Sequence, residues 1–354
     1  MSHDCGQSIH EQVKQAIGER HALSIHGAGS HAFMPGEFAE AQRIDMTAHR
    51  GIIDYQPSEL TLKARAGTPI DEINRTLTEQ GQRLATEVPV FGEGATLGGA
   101  LATGLTGSGR PFLGAVRDHV LGARLVNGHG EIIDCGGQVM KNVAGYDISR
   151  LLAGSRGILG PVLDITLKVL PRPEQQLTLV FDMAEAAAID SMNSMAGRPL
   201  PITACAYTDG QLHVRLEGSQ SGVNHAARQL GGEQRDDGDE FWAGLSNLQH
   251  DFFITGGPLW RVLTPMTAKP LHGADAMPSL IDWCGGLRWI IGDALPGHLQ
   301  QTLRDIGASA ECFRGGQATP EAERLSATQR KLYQRIKIAF DPHGLFNPAL
   351  SRFD

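Results

Sequence analysis

The chain has 354 residues, 41% hydrophobic and 20% charged, enough for roughly two domains with ordinary cores. Its 39 acidic and 31 basic residues give a net charge of -8, which excludes a general binder of nucleic acid or anionic membranes, since either wants a basic face. The N-terminus lacks a basic start followed by an apolar core, and no apolar run approaches membrane-spanning length. Cys5, Cys135, Cys205, Cys284 and Cys312 are odd in number and far apart, which suits free thiols in the cytoplasm and supplies no zinc or iron–sulfur cluster.

Ile9, Val13 and Ile17 recur every four residues and predict a first helix; Leu23 and Ile25 start a short strand that runs into His26-Gly27-Ala28-Gly29-Ser30-His31. Leu60, Leu62, Ala64 and Ala66 alternate with polar residues, the pattern of a strand with one buried face. Thr68 and Pro69 then read as the N-cap and first position of a helix whose buried stripe is Ile70, Ile73 and Leu77. Residues 119–126 and 131–134 read as strands joined through a tight Asn127-Gly128 turn. Leu163, Ile165, Leu167 and Val169 mark a further strand, closed by Pro171 and Pro173, and a domain boundary is expected near Glu174.

Beyond it, strands at 212–216 and 259–263 alternate with helical stretches at 224–230 and 297–306, the pattern of a smaller α+β domain. Leu325, Leu332, Tyr333, Ile336 and Phe340 predict an amphipathic helix that breaks at Asp341-Pro342-His343-Gly344. The expected organisation is residues 1–174, 175–318 and a C-terminal helix and tail over 319–354.

Between Gly92 and Gly160 lie 17 of the 44 glycines. Each one alone is best read as a tight turn, but their density indicates backbone that approaches a ligand, because glycine offers bare N–H groups and tolerates positive φ. Other sites are excluded by spacing. The third glycine of a GxGxxG fingerprint would fall at Ala32, and no P-loop occurs. Ala153-Gly154-Ser155-Arg156-Gly157 lacks the leading glycine of a nucleophile elbow and precedes a strand where that motif needs a helix. His10-Glu11 does not extend to HExxH, so no metal site is expected.

The segments HGAGSH, GATLGG, KNVAGYDISRLLAGSRGILGPVLDITLKVLP and HGLFNPALSRF, in this order, resemble the flavin-binding domain of the vanillyl-alcohol oxidase (PCMH-type) superfamily. Within it, they are similar to the FAD-binding subunits of bacterial glycolate oxidase. The resemblance covers residues 1 to about 175 and the tail. It implies an α+β fold with a two-subdomain FAD-binding domain, a cap, and a C-terminal tail that returns to the flavin.

In that family, the first glycine turn holds the FAD pyrophosphate, a role that falls here on Gly27, Ala28, Gly29, Ser30 and His31. Thr96, Gly98 and Gly99 match a second diphosphate contact. Gly107, Gly114 and Asp118 match the turn near the isoalloxazine, and Gly157, Gly160 and Val162 the positions against adenine and ribose. Asn347 matches the tail signature. Covalent members carry histidine directly after the glycine turn, where this chain has Ser30, so dissociable FAD is expected.

The resemblance further implies glycolate oxidation to glyoxylate in a complex with a second FAD-binding catalytic subunit and an iron–sulfur subunit, and membrane association only through those partners. Related 2-hydroxy acid dehydrogenases carry a GHxGDGNxH-like segment that places a metal and a base over the flavin. Nothing in residues 176–320 matches it, His272-Gly273-Ala274-Asp275 being a poor substitute, so the partner subunit is the better candidate for substrate oxidation. A self-sufficient FAD oxidoreductase and a structural flavin scaffold are the alternatives. In the cap, Arg261 stands in the apolar strand LWRVL, where a buried guanidinium needs a carboxylate: it pairs with an internal Asp or Glu or snorkels from an edge strand, or it meets the substrate carboxylate or a flavin-side group.

Overall fold

A computed structural model describes residues 3–34, 41–136, 148–254, 256–271, 277–317 and 325–350. Residues 141–147 of the family-like segment and 272–275 of the cap lie outside these.

The first helix, Gly6–Glu19, buries Ile9, Val13 and Ala16 along the stripe that its spacing dictates. The chain then forms strand β1 (Leu23–His26), which pairs in parallel with β2 (Gln42–Asp45). Next come β3 (Ile52–Gln56), β4 (Thr61–Arg65), β5 (Gln82–Leu84), β6 (Val120–Val126), β7 (Ile132–Gly136) and β8 (Val162–Pro171). They make an antiparallel sheet in the order β3–β4–β8–β6–β7, with β5 on the far end of β8. As the central strand, β8 is buried on both faces. Its polar face carries Asp164, held by Arg124 at 3.0 Å and by the ring of buried His49 at 3.5 Å.

The next strands, from β9 (Gln175–Asp182), belong to a second sheet; the chain crosses from one sheet to the other within residues 172–174. The others are β10 (Ile202–Thr208), β11 (Gln211–Gly218), β12 (Glu233–Arg235), β13 (Leu259–Leu263), β14 (Ser279–Asp282), β15 (Leu287–Ile291) and β16 (Ser309–Arg314). This eight-stranded sheet is antiparallel, in the order β12–β9–β11–β10–β14–β15–β13–β16. Helices Glu185–Ala196, Gln220–Leu230, Gly238–Ser246 and Gly297–Asp305 supply its apolar cover.

Local details depart from the sequence reading for identifiable reasons. Thr68 does not cap the helix Ile70–Glu79; its hydroxyl donates to the Arg65 carbonyl and accepts from the Gly51 amide, so Pro69 takes the cap position. The β6–β7 connection is a five-residue loop. Asn127 Oδ1 accepts from the His129 and Glu131 amides, and the positive φ, +75°, falls at Gly130. The last helix, Ala327–Phe340, turns Leu332 and Tyr333 outward and buries Lys337.

The two sheets meet through buried polar groups. Ser108 donates to Asp282 Oδ2 at 2.9 Å, the Trp283 amide to Oδ1 at 2.7 Å, and the Trp283 indole to the Gly107 carbonyl at 2.9 Å. Glu87 pairs with Arg215 and accepts from the Gly109 amide, while Arg83 pairs with Glu217 at 2.6 Å. Burial pushes the Asp282 carboxyl up to about 7. Between the ordinary carboxylate value, about 4, and this raised one, the folded chain holds a proton that the unfolded chain has released. Asp282 therefore contributes stability that is fully present below the ordinary value and lost as pH rises through the raised one. Asp282→Asn keeps an acceptor for the Trp283 amide and a partner for Ser108. It is expected to be more stable than the wild type at pH 8 by at least about 1 kcal/mol, with the difference shrinking toward pH 5 in urea titrations. Parallel pH profiles for the two proteins would reject the assignment.

Candidate functional site

Where β1 ends, the chain cannot continue its ladder, because Gly27 and Gly29 turn it across the mouth of a cleft; Gly29 has φ +77°. A cavity of about 260 Å³ opens there. One wall is the turn from Gly27 to His31; another is Thr96, Gly98 and Gly99, at the start of the helix Leu97–Thr103. Arg156, Gly157, Gly160 and Val162 close the third side, and Asn347 comes in from the C-terminal tail. All the expected cofactor residues but Gly107, Gly114 and Asp118 thus line one cleft, although they span most of the chain.

The amides of Gly27, Ala28, Gly29, Ser30 and His31 find no acceptor among the described residues. Five consecutive amides without an acceptor, in residues that line a cavity, are the kind of donor that a dinucleotide's pyrophosphate takes in the absence of a lysine. The second segment contributes differently. Gly98 N–H donates to the Ala66 carbonyl at 2.7 Å and Gly99 N–H to Thr96 Oγ1 at 3.1 Å, so that wall offers shape and close approach in place of free donors.

Asn347 stitches the walls together. Its Oδ1 accepts from the Ile25 amide at 2.8 Å and its Nδ2 donates to the Arg156 carbonyl at 2.7 Å. This explains Gly157, since a Cβ there would stand 2.7 Å from Asn347 Nδ2. Charge in the cleft comes from Arg156, which sequence reasoning missed; its one signal was a cation inside a glycine turn. Burial, and secondarily the charge of Arg156, lower His31 to about 4, so its ring is neutral at pH 7.

The other three expected residues lie elsewhere. Gly107 is packed under the second sheet, its absent Cβ making room for Ser246 and Glu87. Gly114 is required by its φ of +81°, and its carbonyl accepts from Thr86. Asp118 caps its own turn by accepting from the Ala115 amide. Arg261 meets an internal carboxylate, Glu311, at 3.0 Å, and lies over the Trp283 ring. It borders a small void beside Gly107, separate from the cleft. Toward that void the space is filled by rings: His31 and Phe33 pack on Phe91, and Phe33 on Phe313, which meets Trp289. No group of three or more potential metal ligands occurs among the described residues. No helix among them is long and apolar enough to cross a membrane.

The two-sheet α+β frame, with a glycine-lined cleft that the C-terminal tail enters, has the fold of the PCMH-type class of FAD-binding proteins. A family model described as an FAD binding domain matches residues 7–136. The chain is 41% identical over 345 residues to the glycolate oxidase subunit GlcE of Escherichia coli (strain K12), covering 98% of this chain and 97% of that one. The chain belongs to this family of FAD-dependent oxidoreductases, and FAD is its cofactor. It is also 31% identical over 154 residues to the glycolate oxidase subunit GlcD of Bacillus subtilis (strain 168), 43% of this chain and 33% of that one. Solved alkyldihydroxyacetonephosphate synthase shares the fold, with a TM-score of 0.69 at 17% identity over 98% of this chain and 76% of the other.

Bound FAD supplies acceptance and onward transfer of electrons. Of the chain's own residues, the amides of Gly27–His31 would hold the diphosphate, with Arg156 as the cation lining the same cleft and the neutral ring of His31 beside it. Asn347 fixes the distance between the walls, and the aromatic rings exclude water on the side of the second sheet.

Proposed function

We propose that this chain is the FAD-binding subunit of a multi-subunit glycolate oxidase, holding FAD non-covalently in the glycine-lined cleft. In this reading, glycolate is oxidised to glyoxylate on a second flavin subunit, and the electrons reach an iron–sulfur partner. The observation that carries it is the run of five amides without an acceptor among the described residues, in residues that line the cavity of a chain alike over 98% of its length to a protein named a glycolate oxidase subunit. The division of labour is supported by what surrounds the cleft: packed aromatic rings, and Arg261 already paired with Glu311. If the chain instead oxidised a hydroxy acid by itself, Arg261 would have to exchange Glu311 for the substrate carboxylate.

The test is the purified chain, its visible spectrum, and anaerobic addition of glycolate or D-lactate. The expected protein is yellow, releases its FAD on acid precipitation, and is bleached by glycolate only when the partner flavin subunit is added. Folded, colourless protein that takes up no FAD defeats the proposal. Bleaching of the lone chain that is lost in Arg261→Lys would establish the self-sufficient alternative.

A further inference from the structure

Among the described residues no Asp or Glu lines the cleft, in a chain of net charge -8. Arg156, His26 and His31 line it instead, and the two histidines are the groups there whose charge can change near neutral pH. They are held differently. His26 meets Ser24 Oγ at 2.6 Å and faces Asp45 across the β1–β2 ladder, so a carboxylate already favours its charged form. His31 Nδ1 lies 3.1 Å from Ser30 Oγ, and its Nε2 finds no hydrogen-bond partner among the described residues. Packing holds the ring in place, edge-on to Phe91 at 5.2 Å between centroids and stacked on Phe33 at 6.5 Å. Of the charged groups on the segments around these rings, Glu87 is taken by Arg215, Glu311 by Arg261 and Arg314 by the Phe253 carbonyl, while Glu93 is exposed. Arg156 is left to act on His31, and after burial it is the second cause that opposes a charge on the ring.

We propose that His31 takes up a proton from solvent as FAD binds and becomes a second cation against the diphosphate, a step that rests on FAD occupying this cleft. The ring adjoins the amides that would hold the diphosphate, so the anion brings the opposite charge that the cleft itself lacks and offsets Arg156. In the free chain the ring titrates at about 4. Between that value and the raised one, the loaded chain holds a proton that the free chain has released. FAD affinity therefore rises as pH falls through the raised value and levels off below about 4. Well above the raised value the ring is neutral in both forms, and affinity no longer depends on it.

The experiment titrates the apoprotein with FAD by calorimetry at about pH 5.5 and about pH 7.5, in pairs of buffers that differ in ionisation enthalpy. Expected for the wild type are net proton uptake at the lower pH, approaching one per FAD, and an affinity about tenfold tighter there. His31→Gln should show no uptake and affinities within about threefold of each other. Histidine ring resonances of the wild type, followed through pH with and without FAD, should show one ring titrating higher in the loaded chain, a readout that stands even where the variant fails to fold. Binding without proton uptake, or with the same uptake in His31→Gln, overturns the role of His31 and leaves the FAD reading standing. Uptake that is lost in His26→Asn and kept in His31→Gln overturns it too, and assigns the proton to His26. A folded chain that takes up no FAD at either pH overturns both readings.

Discussion

Replacing Lys337 by methionine is expected to cost about 3–5 kcal/mol of folding stability and to weaken FAD binding with it. The ammonium is 8% exposed and donates to Asp341 Oδ2 at 2.6 Å, to the Ile158 carbonyl at 2.7 Å and to the Phe346 carbonyl at 2.9 Å. Burial lowers its pKa, while the Asp341 carboxylate opposes that fall and favours the charged form. Asp341 in turn accepts from the Leu345 and Phe346 amides and so shapes the turn that sends Asn347 into the cleft. Methionine fills much of the volume but leaves a buried carboxylate and two carbonyls without their donor. Urea denaturation should show the loss, and the double variant Lys337→Met/Asp341→Asn should recover part of it, because no buried charge is then stranded. Additive losses in this cycle, or a Lys337→Met protein within about 1 kcal/mol of the wild type, would show that the pair is worth no more than a surface one.

The same lysine shows where sequence reading stops. The alternation that places Leu62, Leu163 and Ile165 in the core, and the four-residue spacing of Ile9 and Val13, are local signals, and the structure follows them. The last helix has a local signal too, but burying an ammonium depends on Asp341 and on carbonyls of Ile158 and Phe346, which no window of helical length contains. Arg288 makes the same point. It is 2% exposed in β15, held by Glu185 and the Ala268 carbonyl, yet its strand LRWII reads no differently from the LWRVL that drew attention to Arg261.

The cleft was legible through resemblance more than through spacing. Gly27 and Asn347 stand at opposite ends of the chain, and no periodicity joins them. Glycine density in turn pointed to ligand approach without saying which glycines serve it. Sequence cannot tell a missing Cβ that leaves room for a ligand from one that leaves room for the chain itself. Gly107 and Gly160 belong to the second kind, crowded by Ser246 and by the Val126 carbonyl.

Gly29 belongs to the first kind, and Gly29→Val is expected to weaken FAD binding by about 100-fold or more. At φ +77° an L-residue costs about 1–2 kcal/mol, and among the described residues, its chain neighbours apart, no atom lies within 4 Å of the added Cβ, so the fold itself has room for it. What changes is the turn. Relaxing φ reorients the peptide units on either side of Gly29, among them the amides proposed to hold the pyrophosphate, and two charge-assisted hydrogen bonds are worth about 1.5–3 kcal/mol each. Gly81 provides the control. It too has a positive φ, +62°, and open space around its Cβ, but it sits between the helix Ile70–Glu79 and β5, away from the cleft. Gly81→Val should lose comparable stability and keep its flavin. Titration of the apoproteins with FAD separates the two effects; dissociation constants for Gly29→Val and Gly81→Val within about threefold of each other would mean that the turn after β1 is not where the pyrophosphate lies.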